Sequence, residues 1–105
     1  MSKKESYPGL TIEYIDKFNH PKFKGALDAI SLDFGKGAIM YIITIPGRFD
    51  YACHQNFTNR AFNAIADWHD KKIDPVKDWD EFCEDMFKWC CKHWAEILKI
   101  YEKHN

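Results

Sequence analysis

An excess of charge of either sign is missing from this chain: its 105 residues carry 15 Lys plus Arg against 16 Asp plus Glu, a formal net charge of -1. That balance argues against a sequence-independent nucleic-acid binder, which needs a large positive field, and the chain equally lacks the high negative charge of a DNA mimic. Glycine and proline are scarce, at 5 and 4 residues. With 46% hydrophobic and 16% aromatic residues, the composition excludes a disordered tail, a collagen-like repeat and a low-complexity linker. No apolar run reaches the roughly 20 residues of a membrane helix; the longest, from Ala38 to Ile45, reads as a buried strand. Nor does a signal-peptide-length apolar stretch follow Lys3 and Lys4, so a cytoplasmic location and no membrane association are expected. Cysteine is limited to Cys53, Cys83, Cys90 and Cys91. Three of these fall within one apparent helix, and reduced, mostly buried thiols are expected.

Site signatures are equally sparse. Gly35-Lys36-Gly37 is too short for a phosphate loop, and no dinucleotide-binding fingerprint follows any strand. Cys90 and His93 stand three apart, as two metal ligands on a helix would, but adjacent Cys53 and His54 do not supply the second short-range pair a structural zinc site needs. The acidic cluster Asp78, Asp80, Glu81, Glu84 and Asp85 lacks the central glycine of a calcium loop. No metal and no cofactor are therefore expected. Cys53, just before a candidate helix start, is the thiol that a spatially adjacent histidine (His54, His69 or His93) would activate in a small cysteine-dependent enzyme. Trp68-His69-Asp70 is contiguous, whereas a catalytic constellation is normally assembled from separate segments, and it reads as a solvated helix end.

What is present is pattern. Leu10, Ile12 and Tyr14 alternate, predicting a strand over 10–15. Pro21 opens a possible helical turn with Phe23, Ala26, Leu27 and Ile30 on one face. Ile30, Leu32 and Phe34 alternate ahead of the Gly35-Lys36-Gly37 loop, which positive φ suits, and the apolar run follows; this is a β-hairpin with strands over 29–34 and 38–45. A brief alternation over Arg48 to Tyr51 suggests an edge strand. The period then changes to helical: Phe57, Ala61, Phe62, Ile65 and Trp68 predict a helix over 56–69 behind Asn56 as N-cap. Asp74-Pro75 starts a second helix, over 75–102, with acids early, lysines late, and Glu84 and Lys88 in the favourable order one turn apart. At 1.5 Å per residue it would run roughly 42 Å, beyond the roughly 26 Å diameter of a compact domain this size, so it either bends or projects. The fold expected is one α+β domain over 1–105, with a flexible 1–9 segment and a small antiparallel sheet of about three strands covered by two helices.

The last helix is also the informative one about partners. Val76, Trp79, Cys83, Met86, Phe87, Cys90, Trp94, Ile97, Leu98 and Tyr101 make a continuous apolar face. Phe82, Trp89, His93 and Ile100 form a second stripe beside it, more than docking on one layer requires. Two readings stay open: another segment of the chain covers the stripe, or a second chain does. Candidate partner-binding residues are therefore Phe82, Trp89, His93 and Ile100, with Asp78, Glu81 and Asp85 for a basic partner surface. The expectation is a non-catalytic, protein-binding regulatory domain, a homodimer in its simplest form, of the kind a phage or mobile element uses to inhibit a host protein. The lysine row Lys88, Lys92, Lys99 and Lys103 leaves a nucleic-acid-associated regulator as a less favoured reading.

Overall fold

A computed structural model describes residues 3–18, 28–45, 48–54, 56–73 and 79–105, with the side chains of 48 and 79–83 outside the description. Five strands form one antiparallel meander in chain order: β1 (Lys3–Tyr7), β2 (Leu10–Asp16), β3 (Asp28–Asp33), β4 (Ile39–Ile45) and β5 (Arg48–Cys53). Three helices follow: α1 (Asn59–Lys72), α2 (Trp79–Lys92) and α3 (Trp94–His104). The expected hairpin is β3–β4. Its loop has φ of 82° at Gly35, 54° at Lys36 and 77° at Gly37, and Phe34 N–H donates to the Ala38 carbonyl at 2.9 Å.

The α+β class and the antiparallel sheet are as the sequence predicts; the strand count is not. Within the segment expected to be flexible, Lys3–Tyr7 form a strand and pair residue by residue with β2. This polar strand carries no alternating apolar signal, and it is held from outside itself: Tyr7 stacks on Trp94 of α3 with ring centroids 4.8 Å apart, and Lys3 pairs with Glu84 of α2. Glu84 thus reaches across to β1 rather than serving only the helical pairing with Lys88. The suggested edge strand is present as β5, paired with β4 from Ile45↔Arg48 to Met40↔Cys53. The predicted turn after Pro21 and the Asp74-Pro75 helix start lie outside the described residues.

Alternation sorts the sheet into two faces. Leu10, Ile12, Ile30, Leu32, Met40 and Ile42 point toward the helices and meet Ala61, Ile65, Met86, Phe87, Cys90 and Ile97 in one core. Ala29, Ile43 and Ser31 are buried on the opposite face, where Phe18 lies 5.0 Å from the ring of Tyr41. Burial on both faces is why β4 reads as a continuous apolar run rather than a clean alternation.

The helix predicted over 75–102 is two helices. His93 has φ -106° and ψ 20°, and its N–H is shared between the carbonyls of Trp89 at 3.0 Å and Cys90 at 3.2 Å. No glycine or proline marks the break. Its cause is tertiary: bending brings Tyr101 onto Phe34 at 4.0 Å and Phe57 at 5.3 Å, closing α3 over the core. The α1 boundary also shifts. Thr58, not Asn56, caps the helix, its Oγ1 accepting from Ala61 N–H at 3.2 Å. Asn56 instead donates to the Lys36 carbonyl at 3.1 Å, tying the hairpin loop to the helix start.

Gly9 sits at φ 86° in the β1–β2 turn, and a Cβ there would lie 3.3 Å from Leu98 Cδ2 on α3. Gly9→Ala is expected to destabilise the fold by about 1–2 kcal/mol through left-handed backbone strain, read as a lower urea midpoint with an unchanged slope.

Candidate protein-docking site

The site is built where the three helices meet. Trp68 follows Ile65 by three residues, so it leaves α1 one turn beyond a core contact and toward the rim. Trp89 and His93 are one turn apart on α2 and its end, and both turn toward Trp68. The ring centroids are 5.0 Å apart for Trp68–Trp89, 4.6 Å for Trp89–His93 and 6.1 Å for Trp68–His93. All three rings remain half-buried. Alongside lies an open groove of about 290 Å³ lined by Trp68, Glu96, Lys99, Ile100 and Lys103.

The structure therefore brings together three of the residues singled out from the sequence, Trp89, His93 and Ile100, on one face. Asp85 is exposed on α2 apart from the groove lining; Asp78 and the side chains of Glu81 and Phe82 lie outside the described residues. The stripe is partly covered from within the chain, by Trp68 of α1. Sequence reasoning placed Trp68 simply on the core face of its helix and missed Glu96, Lys99 and Lys103 as groove residues. Lys99 and Ile100 were recognisable as neighbours, but only the docking of α1 beside α3 makes the groove.

Beneath this face lies a polar cluster that the sequence reading misplaced. His69 is 0% exposed, not the end of a solvated helix, because α1 runs on to Lys72 and turns His69 inward. Its Nδ1 lies 2.7 Å from the Tyr51 hydroxyl, which donates to the Asp70 carboxylate. With the single tyrosine proton committed to Asp70, His69 Nδ1–H is the donor to the tyrosine oxygen. Its Nε2 meets Met86 Sδ at 3.3 Å, and Phe49 closes one side at 4.9 Å. Burial pushes the imidazole down to about 4, overcoming the opposing pull of Asp70. Burial also raises the Tyr51 hydroxyl, helped by Asp70. With His69 neutral and shut from water, the two residues cross-brace β5, α1 and α2 rather than offering an accessible base.

The thiols divide by exposure. Cys90 is buried among apolar groups that push its thiol up, Cys91 is half-buried, and Cys53 is exposed; the side chain of Cys83 lies outside the described residues. Among the described residues no group of three or more His, Cys, Asp or Glu converges as metal ligands, and no helix is long and apolar enough to cross a membrane. In comparisons with known proteins, no family model, no curated protein and no solved structure matches the chain.

Two measurements check this geometry. Since the folded imidazole holds its proton only below about 4 and the unfolded one below about 6.5, the unfolded chain binds the extra proton between those values. Stability is thus full above pH 6.5 and falls as pH drops toward 4, by roughly 3 kcal/mol from this group. His69→Gln is expected to flatten that part of a pH series of urea unfolding curves; parallel curves for the two proteins would contradict the assignment. In native alkylation, Cys53 is expected to label first and Cys90 only on unfolding, as mass-resolved peptide mapping would read.

Proposed function

We propose that this protein is a non-catalytic binding domain that docks on a protein through the Trp68–Trp89–Ile100 face, acting as a cytoplasmic regulator or inhibitor of that partner, with self-association as the simplest form. The observation that carries the reading is a tryptophan pair left half-buried beside an apolar groove with a charged rim. Large side chains gain about 1.5–3 kcal/mol each on full burial, and tryptophan is the residue type most enriched at interface hot spots. The same arrangement ringed by lysine and glutamate matches the apolar centre and polar edge of an interface.

The enzyme reading has less support. Each histidine considered for Cys53 is engaged elsewhere: His54 Nε2 shares a hydrogen bond with the Tyr41 hydroxyl at 3.2 Å, His69 is held by Tyr51, and His93 Nδ1 faces Glu96 at 3.4 Å. The nucleic-acid reading is weakened by the balanced charge of the chain, -1 overall.

Trp89 is a poor position for a test because its ring also packs 5.9 Å from buried His69, so a charge there would damage the fold itself. Ile100 lines the groove and is half exposed. Ile100→Glu is expected to keep the far-UV spectrum and a cooperative melt while losing self-association, read as native mass, or the proteins enriched by wild type in a quantitative pull-down. A folded variant with unchanged mass and unchanged partners would overturn the proposal.

A further inference from the structure

Resting on that docking reading and going one step beyond it, we infer that the groove receives an apolar side chain flanked by carboxylates, presented by an acidic segment of a partner protein. The floor supplies the apolar half of the match, with Trp68 and Ile100. The rim supplies the charged half. Lys99 and Lys103 are four residues apart on α3, hence neighbours about one turn apart along the same side of the helix, and both are exposed. Neither ammonium has a carboxylate partner among the described residues. The acid in the groove lining, Glu96, faces His93 Nδ1 at 3.4 Å.

Lysines in water need no partner, so their being unpaired is not by itself a signal. Their position is what matters: an apolar anchor seated on Trp68 and Ile100 would exclude water beside both ammonium groups, where a charge left unpaired is costly and a complementary one fixes register and speeds encounter. The chain's overall charge of -1 makes this basic rim a local feature and not part of a general positive field. A nucleic acid fits the same groove less well. Trp68 is already packed against Trp89 at an interplanar angle of 36° and against His93 at 70°, so it offers a poor platform for base stacking.

The test is fluorescence anisotropy of the full chain with two fluorescein-labelled helical peptides. One carries a Leu anchor flanked one turn away on each side by Glu; the other is identical with Lys in place of Glu. Wild type is expected to bind the Glu peptide saturably and at least tenfold more tightly than the Lys peptide, with affinity falling as salt rises. Lys99→Glu combined with Lys103→Glu, both at exposed positions and with an unchanged melt expected, should reverse the preference. Equal binding of both peptides, binding of neither, or displacement of the Glu peptide by a dT12 oligonucleotide would overturn the inference. So would a wild-type dimer whose native mass is halved by the double substitution while no peptide binds, since a second copy would then be the occupant. If Ile100→Glu loses its partner while these peptide arms fail, the docking reading stands and the acidic-segment inference alone falls.

Discussion

Laid out straight, Trp79–His104 would run about 39 Å at 1.5 Å per residue, longer than the largest dimension of the domain, 33 Å. The bend at His93 resolves that conflict, and the rest of the helical layer follows from it. Before the bend, α2 crosses β2 and β3 and sets Met86, Phe87 and Cys90 into the core. After it, α3 turns alongside α1, with Ile97 buried and Tyr101 closing over Phe34 and Phe57. Trp94, the first residue beyond the bend, stacks on Tyr7 and so helps secure the edge strand that the sequence pattern alone does not announce. The aromatic face and its groove are a by-product of the same geometry, since Trp68 can flank Ile100 only where α1 and α3 lie side by side.

A polar brace lies under the aromatic surface. His69 spends its hydrogen bond on Tyr51 rather than on solvent, and its ring sits against Phe49 and Trp89. Removing a charge-capable group from water is tolerated because the group is neutral there and its Nδ1–H is matched by the Tyr51 hydroxyl oxygen. Trp89 packs on this brace and Trp68 on Trp89, so the support of the aromatic face and the expected acid sensitivity of the fold have a common origin. A rigid aromatic platform loses little conformational entropy when a partner binds, which fits the interaction role proposed for it.

The charges follow a similar division of labour. Glu84 is committed to Lys3, and its carboxyl is held below the usual range by that lysine, so part of the acidic stretch of α2 serves to hold the sheet edge. Lys99 and Lys103, in contrast, border open apolar surface. Acidic and basic groups nearly equal in number across the chain, 16 against 15, are thus unequal in availability, which a net charge near zero conceals.

Where a feature depends on neighbours in sequence, it was legible. The β3–β4 hairpin follows from alternation, two glycines and a loop suited to positive φ. The change to helical spacing after residue 52 and the apolar face carrying Met86, Phe87, Cys90 and Ile97 follow from periodicity, and the apolar stripe of Trp89, His93 and Ile100 was visible for the same reason. Contacts between distant residues decided the remainder. The polar β1 is a strand because β2, Trp94 and Glu84 hold it; the break at His93 exists because α3 is drawn onto Phe34 and Phe57; Asn56 leaves the helix cap for the loop at Lys36. His69 is a core residue because α1 packs with that face inward, and Lys99 and Lys103 become the rim of a groove only once Trp68 lies beside them. Local periodicity selects the elements and their apolar faces, whereas burial, pairing and the joining of two helix faces into one surface are set by packing between segments far apart in the chain.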